Sequence, residues 1–251
     1  MTRSRILFVS DLHLDAALPA AIEQFIAFLR NEAMDCRALY ILGDLFETWI
    51  GDDDDDPARE RIRAGLAELT AAGVPCFIMH GNRDFLMGKR FMAASGCRLL
   101  TDPTVLEAGG RRFVLTHGDV LCTADRAYQR FRRVTRNALV QACWRVLPLA
   151  LRRRLASLAR RRSLSYTQRQ PQAIMDVTPA AVTSLLRATR CDVMIHGHTH
   201  RPATHHLDVD GRGCSRIVLG DWYGAAGSYL ALDEAGNPSV ASLPAAAGGP
   251  E

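Results

Sequence analysis

Ile6-Leu7-Phe8-Val9-Ser10-Asp11-Leu12-His13-Leu14 joins an apolar run to an Asp-x-His motif with a single serine between them. A short apolar run closed by polar residues reads as a buried strand, and strand ends are where a rigid scaffold presents reactive groups. The arrangement recurs along the chain. Leu39-Tyr40-Ile41-Leu42 runs into Gly43-Asp44, and Phe77-Ile78-Met79 precedes Gly81-Asn82-Arg83-Asp84. Phe113-Val114-Leu115 precedes His117-Gly118-Asp119, and Val193-Met194-Ile195 precedes Gly197-His198-Thr199-His200. Singly, a strand-end His is usually a hydrogen-bonded structural residue and a strand-end Asp a helix cap. Here that bland explanation would have to apply five times.

The motifs bring together Asp11, His13, Asp44, Asn82, His117, His198 and His200 as candidate metal ligands. One ion rarely needs so many protein ligands of this kind. Two ions sharing a carboxylate need about four each, with open positions for water and substrate. Mixed carboxylate, amide and imidazole donors suit Mn²⁺, Fe or Zn²⁺ better than Mg²⁺ or Ca²⁺. No cysteines form a Cys-x-x-Cys pair, which argues against a thiolate zinc site.

In this order the motifs resemble those of the calcineurin-like metallophosphoesterases, from about Arg5 to Trp222. The resemblance is closest to the branch that cleaves the pyrophosphate bond of UDP-2,3-diacylglucosamine in lipid A synthesis. It is carried by Ser10-Asp11-Leu12-His13-Leu14, Gly43-Asp44-Leu45-Phe46-Glu47 and Trp49-Ile50-Gly51-Asp52-Asp53. Gly81-Asn82-Arg83-Asp84-Phe85-Leu86, Leu121-Cys122-Thr123, Ile174-Met175-Asp176-Val177 and His196-Gly197-His198-Thr199-His200-Arg201-Pro202 extend it. It implies a four-layer α/β/β/α sandwich with a helical lid. Residues 1–122 and 171–243 would form the core, 123–170 the lid and 244–251 a flexible tail. Asp11, His13, Asp44 and His200 would hold one metal, and Asp44, Asn82, His117 and His198 the other. The implied reaction is hydrolysis to UMP and 2,3-diacylglucosamine 1-phosphate by a two-metal-activated water, the ions expected to be Mn²⁺. Asp44, Asn82, Arg83 and His117 would carry the catalysis. Substrate contacts would come from Asn82, Arg83, Asp125, Ser163 and His198, and from Thr167 and Gln170, where the family commonly has Asn and Lys. His80, His196, His205 and His206 fall outside the ligand positions.

Arg83 narrows the substrate. The broad family has a His after Gly-Asn, able to protonate an alkoxide leaving group; a guanidinium stays protonated and cannot. Pyrophosphate cleavage expels a phosphate, whose second pKa is only about 6. Such an anion needs charge stabilisation rather than a proton, and arginine supplies it. Pairing with Asp84 is the structural alternative.

At 251 residues and 48% hydrophobic composition, the chain can bury the core of one α/β domain with an insertion. Residues 18–33 and 57–72 show helical spacing after proline. Arg3 and Arg5 lead straight into the first strand, which does not read as a signal peptide. Scattered cysteines suggest a reduced, cytoplasmic setting. The longest apolar run, Ala138 to Leu151, is broken by Arg145 and Pro148, short of the ~18 residues that span a bilayer. The acidic run Asp52 to Asp56 reads mainly as a solvated loop or helix start.

Arg126 to Arg162 holds twelve Arg and no Lys, Asp or Glu, against a net charge of +4 for the whole chain. Interleaved at helical spacing are Phe131, Val134, Leu139, Val140, Trp144, Val146, Leu147, Leu149, Leu151, Leu155 and Leu158. A solvated basic face, a membrane-surface element and a nucleic-acid surface all fit this composition. The resemblance favours a lid whose apolar interior takes acyl chains and whose basic exterior meets phosphates or an anionic membrane. The implied partner is the UDP-linked diacylglucosamine lipid, with no nucleic acid, at the cytoplasmic face of the inner membrane. The rivals are a generic phosphodiesterase or nuclease, which Arg83 argues against, and a non-catalytic scaffold, which has no need of a full ligand set.

Overall fold

Alternation along β1 (Ile6–Val9) generates the layers: Ile6 and Phe8 enter one apolar cluster, Leu7 and Val9 another, and all four are buried. A strand buried on both faces reads as a continuous apolar run, which is why the sequence shows no polar alternation there. The computed structural model describes residues 3–170, 174–223 and 227–244, with the backbone alone at 164 and 167–169. The expected tail beyond 244, the boundary at 171 and the Thr167 side chain lie outside the described residues.

β2 (Ala38–Leu42), β3 (Cys76–Met79) and β4 (Arg98–Leu100) follow β1 in parallel. β10 (Ser228–Leu232) and β11 (Pro238–Ser242) close the other side antiparallel, in the order β11-β10-β1-β2-β3-β4. The second sheet uses β5 (Thr104–Ala108), β6 (Arg111–Thr116), β7 (Val193–His196), β8 (Ala203–Val209) and β9 (Arg212–Val218). Its order is β5-β6-β7-β9-β8, with β6, β7 and β9 parallel. Phe8, Leu42 and Met79 of the first sheet meet Phe113, Ile195 and Ile217 of the second in one cluster, so the sheets pack face to face.

α1 (Pro19–Asn31), α2 (Pro57–Ala71) and α3 (Lys89–Ser95) cover the outer face of the first sheet. Both helices expected after proline form, each ending one or two residues before the spacing suggested. α7 (Pro179–Thr189) and the 3-10 turn Asp119–Leu121 cover the second sheet through Val182, Leu186 and Leu121. The layers are α/β/β/α, as expected.

Three further helices precede α7: α4 (Arg126–Thr135), α5 (Ala138–Arg145) and α6 (Leu149–Arg169). Asp125 caps α4, Asn137 caps α5, and Pro148 separates α5 from α6. Their packing departs in part from one expectation: most of the arginines are exposed as expected, but so are many of the apolar side chains. Leu139 and Val146 are 77% and 82% exposed, and Phe131, Val134, Leu151, Leu155 and Leu158 are exposed too. Several arginines instead face the protein. Arg152, 2% exposed, donates to Ile50 O at 3.0 Å and Asp53 Oδ1 at 2.8 Å, and Arg153 reaches Asp54 Oδ1 at 2.5 Å. Core carboxylates hold Arg132, Arg152, Arg153 and Arg160, while many apolar side chains stay outside. Trp144, read in the sequence as part of the apolar face, packs on the main core and donates Nε1 to Ile50 O at 2.9 Å.

The acidic run is accordingly more than a solvated loop. Asp52 accepts from the backbone of Gly88, Arg90 and Phe91 at the start of α3, and Asp56 caps α2. Asp53 and Asp54 anchor α6. Among the described residues every cysteine is free, and no helix is long and apolar enough to cross a membrane.

Candidate metal centre

The first three motifs leave the C-terminal ends of parallel β1, β2 and β3, and the last two leave β6 and β7 of the facing sheet. Strand carboxyl ends are where open α/β sheets bind ligands. Asp11, His13, Asp44, His198 and His200 all have left-handed backbones, with φ between 49° and 69°. Each such non-glycine conformation costs of order 1 kcal/mol or more and persists only where its surroundings over-determine it. The loops are cross-stitched: Asp11 N donates to Gly43 O at 3.1 Å, His13 N to Asp44 O at 2.9 Å, and Gly197 N to His117 O at 3.0 Å. A Cβ on Gly81 would stand 2.0 Å from Asp44 Oδ1, so only glycine admits that carboxylate.

Asp44 Oδ2 stands 3.9 Å from His13 Nε2 and 3.8 Å from His117 Nε2, between the two halves of the cluster. Asp11 Oδ1 lies 3.4 Å from His200 Nε2 and 3.9 Å from His13 Nε2. Asn82 Oδ1 faces His117 Nε2 at 3.0 Å, and the rings of His117 and His198 are 5.0 Å apart. All seven predicted ligands therefore converge. Asp11, His13 and His200 form one set of close donor atoms, and Asp11, Asp44 and His117 a second.

The residues fit divalent cations. Glu47 Oε2 lies 3.0 Å from Nδ1 of His13, Asp221 Oδ2 lies 2.8 Å from Nδ1 of His200, and Nδ1 of His117 bonds Leu42 O at 2.9 Å. An acceptor at Nδ1 leaves Nε2 as the ligating atom. His13 Nε2 and His200 Nε2 then face each other at 3.4 Å, while buried Asp11 Oδ1 has no hydrogen-bond partner. The charges agree. Burial pushes the Asp44 carboxyl up, and neighbouring Asp84 and Asp11 add to the effect. Burial also opposes charge on His117 and His200, yet surrounding carboxylates outweigh it and hold them up at about 9 and about 10. Burial and the charge of His117 push His198 down to about 3. A cluster that recruits protons onto two imidazoles is short of positive charge, which metal ions supply.

Arg83 turns to this cluster and not to Asp84. Its Nη1 lies 3.6 Å from Glu47 Oε1 and its Nε 4.0 Å from Asp44 Oδ2. The Asp84 carboxylate is taken by the backbone N–H groups of Gly81 and Leu45, both at 2.8 Å. Asp125 caps α4 and accepts from Tyr166 Oη at 2.8 Å. Gln170, with Tyr166, lines a groove of about 560 Å³ along α6. Ser163 is exposed on α6, and among the described residues no hydrogen bond joins it to the ligand cluster. His80 bonds Met87 O, His196 is buried beside Arg216, and His205 and His206 are exposed on β8.

Two helpers escaped the sequence reading. Glu47 gathers His13, Arg83, Arg160 of α6 and the Tyr223 hydroxyl. Burial raises its carboxyl, but the bond from His13 and the charges of Arg83 and Arg160 prevail and bring it down to about 2. Asp221, which orients His200, follows Ile217-Val218-Leu219-Gly220, the same strand-then-glycine pattern as the ligand loops. That repetition was the available signal.

Residues 4–202 match the calcineurin-like phosphoesterase family, to which this chain therefore belongs. Among its relatives, the UDP-2,3-diacylglucosamine hydrolase of Serratia proteamaculans is 49% identical over 217 residues, 86% of this chain and 90% of that one. The protein of the same name from Stutzerimonas stutzeri is 48% identical over 231 residues, covering 92% and 96%. The one from Pseudomonas aeruginosa is 48% identical over 217 residues, covering 86% and 90%.

Proposed function

We propose that this protein hydrolyses the pyrophosphate bond of UDP-2,3-diacylglucosamine to UMP and 2,3-diacylglucosamine 1-phosphate, the activity for which these relatives are named. Asp11, His13, Asp44 and His200 hold one divalent ion; Asp44, Asn82, His117 and His198 hold the other. The mixed donor set suits Mn²⁺. Ions bound there neutralise phosphate charge and lower the pKa of water. Arg83 stabilises the departing sugar phosphate, and its placement on Glu47 beside Asp44 is the observation that carries the reading.

Residues 123–170 act as the lid. Its exposed apolar side chains receive the acyl chains and rest on the cytoplasmic face of the inner membrane. Arg154, Arg161 and Arg162 have no carboxylate partner among the described residues and are available to anionic headgroups. Asp125, Ser163, Thr167 and Gln170 serve the sugar or nucleotide. Purified protein with Mn²⁺ is expected to release UMP from UDP-2,3-diacylglucosamine, with little action on UDP-N-acetylglucosamine or bis-p-nitrophenyl phosphate. Preference for bis-p-nitrophenyl phosphate would replace this reading with a general phosphodiesterase.

A further inference from the structure

We propose that α4 is a positioning element for one of the two ions, with Asp119, Tyr128 and Arg132 as its clasp. The inference rests on the ligand partition proposed above. Asp119 is buried two residues after His117. Its Oδ2 accepts from Tyr128 Oη at 2.6 Å and Arg132 Nε at 2.7 Å, and its carbonyl accepts from Gln129 Nε2 at 2.8 Å. The Tyr128 ring stands 6.1 Å from that of His198. One turn further on, Arg136 Nη2 donates to Gly81 O at 2.7 Å, the carbonyl preceding Asn82, while its guanidinium lies 4.9 Å over Phe85. One helix thus reaches His198 and the loops of His117 and Asn82, the three ligands that only this half of the centre uses.

The clasp acts on the chain that leaves His117. Gly118, at φ 113°, joins it to Asp119, and glycine does not fix the direction of the chain on either side. His117 is held from the other side, by β6 directly before it and by Leu42 O at its Nδ1, and the clasp on Asp119 fixes the chain that leaves it. The other half is organised by Glu47 and Asp221, and among the described residues no hydrogen bond or ion pair joins either of them to α4. Loosening α4 should weaken one ion and spare its neighbour, so a ligand that moves α4 changes occupancy of a single site. Loss of partners that orient metal ligands typically costs 10–100-fold in affinity.

The test is Mn²⁺ titration of the full-length protein by calorimetry, with bound ions counted by elemental analysis. Arg132→Ala and Tyr128→Phe are each expected to weaken the second Mn²⁺ by about 10-fold or more and leave the first unchanged. The sign is diagnostic: removing a cationic side chain near a cation site raises affinity if only charge matters. Arg133→Ala, on the exposed face of the same helix, removes the same charge and should change neither site. Unchanged or tighter second-site binding in both clasp variants would overturn the proposal, as would equal weakening by Arg133→Ala. Wild-type protein binding fewer than two Mn²⁺ would instead sink the two-ion partition, and this inference with it.

Discussion

The strand-end loops and the arginine-rich helices solve opposite problems. Asp11, His13, Asp44 and His117 are buried and held by backbone bonds between loops, three of them with left-handed backbones. The helices α4 to α6 expose Leu139, Val146 and Phe131 and are fastened through side chains: Arg132 to Asp119, Arg152 to Asp53, Arg153 to Asp54, and Arg160 to Glu47. A rigid frame can hold ions in fixed geometry. A layer attached by side-chain ion pairs, with many of its apolar side chains facing solvent, opens more readily than one built on a shared apolar core, because local stability follows buried apolar contact. In the function proposed above, chemistry belongs to the first region and substrate selection to the second.

Asp44 is where this division is most exposed to failure. Asp44→Ala should reduce UMP release by about 10³-fold or more, since several kcal/mol of metal-derived stabilisation is at stake. Elemental analysis should show that both ions are weakened; two ions retained at full occupancy would remove Asp44 from its shared position. Arg83→Ala should slow pyrophosphate cleavage by about 10²-fold with both ions in place. Arg83→His should not restore it, because the leaving phosphate does not require a proton. Near-normal turnover by Arg83→Ala would leave Arg83 a merely structural partner of Glu47.

Glu47→Gln probes the seam between the regions. Weakening its hold on His13 and Arg160 together should raise the Mn²⁺ concentration for half-activation by about 10-fold. An unchanged activation curve would show that His13 is oriented without it. Smaller still, Arg152→Gln removes bonds to Ile50 O and Asp53, each worth about 1 kcal/mol net. It should lower Tm by about 2–4 °C per kcal/mol and speed hydrogen exchange in α6, with ion content unchanged.

The two regions also differ in how much of them the sequence revealed. Asp44 and His198 were legible because strand, glycine and ligand are neighbours in the chain, and a buried strand announces itself by its apolar run. Arg83 was legible because its chemistry differs from the family's usual His. The partners of Arg152 were not: Asp53 is 99 residues away, and a row of arginines looks the same whether it faces carboxylates or solvent. For the same reason Trp144 read as part of a chain-binding face when it is a docking residue. Glu47 and Asp119 stood inside quoted motifs, yet their roles depend on which side chains meet across loops. Of the five left-handed ligands only Asp44 and His198 adjoin a glycine, and Asp11, His13 and His200 carry no such signature.

Selectivity by the helices is tested most directly by one ratio: kcat/KM for UDP-2,3-diacylglucosamine over that for UDP-N-acetylglucosamine. It should be compared between wild-type protein and a variant carrying Leu139→Asp and Val146→Asp. Both side chains already face solvent, so the fold and the ions should be undisturbed. Acyl chains lying against the new carboxylates would pay a desolvation cost of at least about 1–3 kcal/mol. The ratio is expected to fall by about 10-fold or more, with turnover of the non-acylated sugar unchanged. An unchanged ratio, or an equal fall for both substrates, would contradict the assignment of acyl recognition to these helices.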